Sequence, residues 1–242
     1  MISRIILVTG GSRGLGEKII ERLSSNGINK VYYTYSGEAS SGPVSQQNNV
    51  TAVKCDQRDE ARIKGCVSEI LSREGRLDVL VNNACSSFMP CDFFTSNWDM
   101  FQDLIDVNLR GSYLFANEAA KAMKLQGEGR IVNILSAFVL NVPPEKISHY
   151  ITVKYALLGL SKALAAELCK FGITVNMVSP GLMRTSLSSY LPPKYMEVAA
   201  AKNPMKRLTT TEDAAKAVEF LISENAQFLN GVNIPVNGGE SF

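Results

Sequence analysis

Tyr150 and Lys154 stand four residues apart, which on a helix puts both side chains on one face about one turn apart. A neighbouring ammonium favours the tyrosinate and draws the phenol down from ~10 toward working pH, so such a pair could give and take a proton. The chain has a single histidine, His149, whereas zinc hydrolases and serine or cysteine nucleophile sites usually need imidazole as ligand or base. A multi-histidine metal site is excluded and no metal is expected. Proton chemistry must run on other groups. His149 directly precedes the tyrosine, but adjacent helical residues point ~100° apart, so a wall or loop contact is expected of it rather than a catalytic role. The five cysteines at 55, 66, 85, 91 and 169 contain no C-x-x-C pair, which fits a reducing, cytoplasmic compartment and supports no disulfide framework or structural zinc.

A second candidate lies near the start of the chain. An apolar run, Ile5 to Val8, leads into Thr9-Gly10-Gly11-Ser12-Arg13-Gly14-Leu15-Gly16 and then into an amphipathic stretch. Glycines there let the backbone approach a pyrophosphate, and the following helix N-terminus offers unpaired N–H groups and partial positive charge. Gly10, Ser12, Arg13, Gly14, Leu15 and Gly16 are therefore expected to bind a dinucleotide. Their spacing is G-x-x-x-G-x-G, not the G-x-G-x-x-G of the standard fingerprint. An acid after the second strand favours NAD, whereas a cation accommodates the extra phosphate of NADP. Strand two ends Tyr33-Thr34-Tyr35-Ser36-Gly37 without an acid, and Arg13 sits inside the turn, where a guanidinium could grip that phosphate in bidentate fashion. NADP(H) is the expected cofactor. If strand two runs past Tyr35, Glu38 would face the ribose instead.

These groups need a scaffold. Short β-branched runs recur at Ile5 to Val8, Val31 to Tyr35, Val50 to Lys54, Val79 to Val81, Ile131 to Leu135, Thr174 to Val178 and Val232 to Val236. They read as buried strands. Helical periodicity fills Leu15 to Asn26, Arg62 to Arg73, Trp98 to Met123, Tyr150 to Lys170 and Glu212 to Ser223. Parallel strands need crossovers and the crossovers bury the sheet, so this alternation predicts an α/β fold, a doubly wound Rossmann-type parallel sheet of about seven strands. The 242 residues suit one catalytic domain over 1–242. The polar piece Ser36 to Asn49 reads as a loop. Leu182 to Leu208 carries Pro192, Pro193 and Pro204 after a strand's end and is expected to be a substrate lid. A net charge of +2 gives no footprint for nucleic acid or a membrane surface. The start, Met1-Ile2-Ser3-Arg4, has no leader pattern, and no apolar run reaches the ~18 residues of a spanning helix. A soluble protein is expected.

Taken in order, the glycine turn at 9–16, Asp56 after strand three, Asn82-Asn83-Ala84 after strand four, Asn108, Ser136, Tyr150-x-x-x-Lys154 and Pro180-Gly181 resemble the short-chain dehydrogenase/reductase family over essentially the whole chain. The likeness is greatest to its 3-oxoacyl-[acyl-carrier-protein] reductase branch. The resemblance implies that Tyr150 is the proton donor and that Ser136 hydrogen-bonds the substrate carbonyl. It implies that Lys154 holds the cofactor ribose and tunes the tyrosine, and that Asn108 positions a water relaying protons to the lysine. Asp56 would contact the adenine, Asn83 and Ala84 the cofactor-side backbone, and Pro180, Gly181, Met183 and Thr185 the carboxamide and phosphate region. The implied reaction is NADPH-dependent reduction of a 3-oxoacyl thioester, in fatty-acid or polyketide-like synthesis. The alternatives are reduction of a free small ketone by an NADP(H)-dependent carbonyl reductase or alcohol dehydrogenase, and a non-catalytic nucleotide-sensing protein.

Three departures stand out. Cys85 replaces the glycine of the family's Asn-Asn-Ala-Gly, which is expected to reshape the cofactor wall. Ser136 and Tyr150 are 14 residues apart, one more than the family's commonest spacing, with Pro143-Pro144 between them, so an altered substrate mouth is expected. A carrier protein is acidic, so Arg130, Lys170, Arg184, Lys206 and Arg207 are candidate mouth cations. In the family, two long helices build a dimer face of a tetramer. Here Ala116, Ala119, Ala120, Ala163, Ala165 and Ala166 on Trp98 to Met123 and Tyr150 to Lys170 suit such packing, so a homo-oligomer, dimer or tetramer, is expected.

Overall fold

The computed structural model describes residues 3–242; Met1 and Ile2, which open the expected domain, lie outside them. Seven strands form one sheet: β1 (Ile5–Val8), β2 (Lys30–Tyr35), β3 (Val50–Lys54), β4 (Val79–Asn82), β5 (Gly129–Ile134), β6 (Ile173–Pro180) and β7 (Asn233–Val236). Their order is β3-β2-β1-β4-β5-β6-β7, and every pairing is parallel. The expected α/β class and strand count therefore hold. Strand order reverses between β1 and β4, and in such sheets ligands bind in the crevice beyond the carboxyl ends at this switch point.

Amphipathic helices cover both faces. On one, α1 (Gly14–Ser24) buries Leu15, Ile19, Ile20 and Leu23 against Ile6 and Val8 of the sheet and against Ala214, Val218 and Leu221 of α7 (Thr211–Ile222). Arg22 of α1 joins the pair by bonding Glu212 and Glu219. On the other face, α2 (Glu60–Glu74), started by an Asp59 cap on the Arg62 N–H, packs Ile63, Cys66 and Ile70 into one cluster with Phe115, Ala119 and Met123.

The stretch Trp98 to Met123 is helical throughout, as expected, but a wide π-helical turn over Ile105–Arg110 lies between α3 (Trp98–Leu104) and α4 (Gly111–Gln126). Uninterrupted apolar periodicity hides an inserted residue in the ladder, and such turns gather at functional sites. The segment 182–208, expected to be a lid, contains a short turn at Ser186–Ser188 and a helix, α6 (Pro193–Lys202), that the sequence did not announce. Its prolines do not break the helix, because Pro193 occupies the first helical position, where its missing N–H is not needed. Likewise Ser36 to Asn49 holds a turn over Pro43–Gln46. The remaining long helix, α5 (Ser148–Leu168), carries the Tyr150 and Lys154 pair. Of the six alanines expected at a subunit face, Ala116, Ala119 and Ala165 are buried in the core, leaving Ala163 and Ala166 exposed and Ala120 half-buried.

Candidate active site

Beyond the carboxyl ends of the strands lies a cavity of about 770 Å³, within the range of small-molecule and cofactor sites. Every residue expected above at the cofactor or reacting centre lines it except Asn108. At one end, β1 turns into α1 through Gly10, whose φ is +64 and where a Cβ would lie 2.7 Å from the Ala84 Cα; a Cβ on Gly16 would run into the Gly10 carbonyl and Asn83. The fit is so close because Asn83 ties the turn to β4. Its Nδ2 donates to the carbonyls of Thr9 at 3.0 Å and Gly10 at 2.9 Å, and Thr9 Oγ1 accepts from the N–H groups of Asn83 and Ala84. The Asn83 amide thus holds the loop rather than facing the cavity with free donors.

Helices α2, α3 and α7 have side-chain caps, but Arg13 at the head of α1 makes no side-chain bond to the helix. The N–H groups of the first turn are left open toward the cavity, which is what a phosphate needs. The exposed Arg13 guanidinium lines the same end and, among the described residues, forms no salt bridge. The donor set fits a dinucleotide with an additional phosphate. Strand β2 ends at Tyr35, so the condition under which Glu38 would face the ribose is not met, although Glu38 is also at the cavity wall. Asp56 carries a partner the sequence did not reveal. Arg58 donates to it from Nη2 at 2.7 Å and from its backbone N–H at 2.9 Å, and also reaches Asp103 at 3.0 Å. These bonds hold the Asp56 carboxyl below its ordinary range.

At the other end, Ser136 follows β5, and Tyr150 and Lys154 project from one face of α5. Lys154 Nζ donates to the Ile134 carbonyl at 2.9 Å and lies 5.7 Å from the centre of the Tyr150 ring. Burial of the pair works against the expected lowering of the phenol. Tyr150 and Lys154 are 7% and 3% exposed, and removal from water disfavours the charged form of each. Burial pushes the phenol above the usual tyrosine range, helped by the nearby Cys85 thiol and opposed by hydrogen bonding to the Ser136 side chain. Burial also lowers the ammonium. The buried arrangement favours a protonated phenol.

Asn108 lies in the π-helical turn and is fully buried. Its Oδ1 accepts from the Ser86 N–H at 3.0 Å and its Nδ2 donates to Cys85 Sγ at 3.1 Å. Both ends of the amide are therefore engaged, and it braces the wall instead of facing the cavity. Cys85 itself has no left-handed φ, so the absent glycine introduces no backbone strain there. The periodicity gave no sign of Phe88, in the irregular stretch after β4. Its ring stacks on Tyr150, centres 4.5 Å apart at 21°, and lies 5.9 Å from Tyr190. His149 turns away from the cavity. It is 1% exposed, meets Phe88 and Phe101 edge-on, and among the described residues neither ring nitrogen has a hydrogen-bond partner.

The candidate mouth cations do not form a cluster. Arg130 and Lys170 lie at or before the starts of β5 and β6, the end of the sheet opposite the cavity. Lys206 donates to the Ala201 carbonyl, and Arg207 pairs with Asp213. Arg184, Lys206 and Arg207 are exposed in the connection beyond the carboxyl end of β6, but none of the three lines the cavity.

A family model described as enoyl-(acyl carrier protein) reductase matches residues 10–241. The 3-oxoacyl-[acyl-carrier-protein] reductase FabG of Staphylococcus aureus is 34% identical over 245 residues, covering 98% of each chain. A crystal structure of 3-ketoacyl-(acyl-carrier-protein) reductase from Brucella melitensis complexed with NADH superposes with a TM-score of 0.91 at 30% identity, covering 99% of this chain and 98% of that one. ElxO with NADP bound superposes at 0.89, also at 30% identity, with 98% of each chain covered. With the sheet order and the full-length match agreeing, the chain belongs to the short-chain dehydrogenase/reductase family of oxidoreductases.

Proposed function

We propose that this protein reduces the ketone of a 3-oxoacyl thioester, presented by an acyl carrier protein, with NADPH as the reductant and Tyr150 as the proton donor. The observation that supports this most is the buried Tyr150 phenol, with Ser136 and Lys154, in the same cavity as an uncapped helix N-terminus and the exposed Arg13. The full-length likeness to 3-oxoacyl reductases supports the substrate class.

The substrate oxygen accepts hydrogen bonds from the Tyr150 and Ser136 hydroxyls, which polarise the carbonyl and stabilise the charge that develops on it. NADPH, when bound, supplies the hydride to the carbonyl carbon. As the C=O electron pair moves onto oxygen, the Tyr150 proton follows it and the alcohol forms. A raised phenol pKa suits this direction, since the group must arrive protonated and an alkoxide is a much stronger base. Lys154, anchored on the Ile134 carbonyl, keeps its other N–H groups for the cofactor ribose and returns a proton to the phenolate. The open turn of α1 and Arg13 hold the phosphates, Asn83 and Ala84 keep that turn in shape, and Pro180, Gly181, Met183 and Thr185 form the facing wall. Asn108 enters as a positioning residue for Cys85 and Ser86. The segment 182–208 acts as the lid, and Ala163 and Ala166 belong to a subunit contact.

One observation favours a second reading, reduction of a free small ketone: of the cations expected to greet an acidic carrier protein, Arg130 and Lys170 lie at the opposite end of the sheet, Arg207 is paired with Asp213, and none of the five lines the cavity. NADPH oxidation with acetoacetyl carrier protein, acetoacetyl and crotonyl thioesters and a panel of free ketones separates the cases. Turnover of the acetoacetyl substrates is expected. Turnover of free ketones alone, or of the crotonyl thioester in preference, overturns the proposal; tight NADPH binding without any turnover points to a nucleotide-sensing protein.

A further inference from the structure

Phe88 meets three rings. It stacks on Tyr150 with centres 4.5 Å apart and planes at 21°, meets the edge of His149 at 5.4 Å and 84°, and lies 5.9 Å from Tyr190 of the segment 182–208. His149 is in turn met by Phe101 of α3 at 6.0 Å and 65°, and Phe101 stacks on Trp98 at 5.5 Å and 6°. A row of rings therefore runs from α3 through His149 and Phe88 to the phenol. Leu104, Ile147, Ile151 and Val153 are buried in the cluster against which Phe88 packs. His149 is 1% exposed and burial lowers its pKa, outweighing the nearby Met89 backbone, so it meets Phe88 as a neutral ring. Phe88 also lines the main cavity with Cys85 and Tyr150.

The second side-chain torsion of a tyrosine is soft and roughly two-fold, so the plane of its ring is set by what lies against its faces. Conjugation keeps the phenolic O–H in that plane, and the neighbour that fixes the plane therefore aims the proton. We propose that Phe88 is a positioning residue for the proton transfer: stacked on Tyr150 and backed by His149, it fixes the plane of the phenol and keeps water from one face of the ring. The inference rests on the reading of Tyr150 as the proton donor. The row behind Phe88 explains why the stack holds, since the ring cannot withdraw from Tyr150 without displacing His149 from its buried place against Phe101.

The test compares the parent with Phe88→Leu, which keeps apolar bulk without a ring face, with Phe88→Tyr, which keeps the ring, and with Tyr150→Phe. NADPH titration counts the folded sites to which kcat is referred. KM and kcat are then measured with acetoacetyl N-acetylcysteamine thioester and with 2-butanone between about pH 6 and pH 10. Phe88→Leu should lower kcat by about 10- to 100-fold, the scale of a small misplacement of reacting groups, with KM and NADPH affinity nearly unchanged. Phe88→Tyr should recover most of the loss. In the leucine variant water reaches the phenol, its pKa relaxes toward ~10, and kcat falls as pH rises toward that value while the parent's stays level. The other titratable groups facing Tyr150 are Lys154 on its own helix, Cys85 after β4 and Tyr190 from the segment 182–208, with His149 behind Phe88. All are the same in the parent and the Phe88 variants, so a new basic limb belongs to the uncovered ring. A kcat and pH profile of Phe88→Leu equal to the parent's, with Tyr150→Phe inactive, overturns the inference and leaves the donor reading standing. A loss confined to KM makes Phe88 a substrate contact and overturns it as well. Near-parental turnover by Tyr150→Phe overturns the donor reading and the inference with it, as does a parent that turns over neither substrate.

Discussion

Replacing Arg13 with alanine separates the two nicotinamide cofactors. The guanidinium is exposed at the head of α1, makes no side-chain bond to the helix and, among the described residues, forms no salt bridge, so its removal takes nothing measurable from the fold. What it removes is a charge-assisted contact with the phosphate that distinguishes NADPH from NADH. Such hydrogen bonds contribute about 1.5–3 kcal/mol, and each ~1.4 kcal/mol is a factor of ten. Solvent screening at an exposed site places the effect at the lower end. NADPH affinity should therefore fall by about 10- to 30-fold, with NADH affinity nearly unchanged. Arg13→Lys should fall between, keeping the charge but losing the fork geometry. Calorimetric or fluorescence titration of the parent and both variants with each cofactor measures this, and the parent's preference should shrink at high salt. Equal losses for NADPH and NADH would refute the phosphate contact, and selective loss of NADPH in Glu38→Gln would move the discrimination to the other side of the cavity.

Three further outcomes follow from the site. Tyr150→Phe should retain NADPH binding but lose about 10²- to 10⁴-fold in kcat; near-parental turnover removes the phenol from its role. Asn83→Ala leaves the Thr9 and Gly10 carbonyls without their donor and should cost about 1–3 kcal/mol, or roughly 2–12 °C in Tm, read by thermal denaturation with and without NADPH. An unchanged melting curve would show that the turn is held by other contacts. His149 is the chain's single histidine, and burial keeps its pKa below the ordinary value. The unfolded chain therefore takes up a proton that the folded one refuses, so stability present above about pH 6.5 is lost as pH falls. His149→Leu should flatten that loss between about pH 7 and pH 5. A slope equal to the parent's would assign the acid sensitivity to carboxylates.

The strand series, the glycine turn and the Tyr150 and Lys154 spacing were legible in the sequence because each depends on local periodicity or turn chemistry. The α6 helix was not, since prolines at a helix start and in a loop look alike along the chain. Neither was the π-helical turn, where one inserted residue leaves apolar periodicity intact while turning Asn108 onto Cys85 and Ser86. Phe88 was missed because an aromatic residue in an irregular stretch has no period to announce which ring it will cover.

By itself, the amino-acid sequence determined that parallel strands alternate with amphipathic helices, that a phosphate-binding turn follows the first strand, and that a tyrosine and a lysine share a helical face. Burial and distance were decided only by the tertiary structure. The pairing suggested a phenol drawn down by its ammonium; packing buried both groups, and loss of water pushes the phenol up and the ammonium down. The cations that looked like one surface belong to opposite ends of the sheet, because strand direction, not proximity along the chain, decides which loops meet.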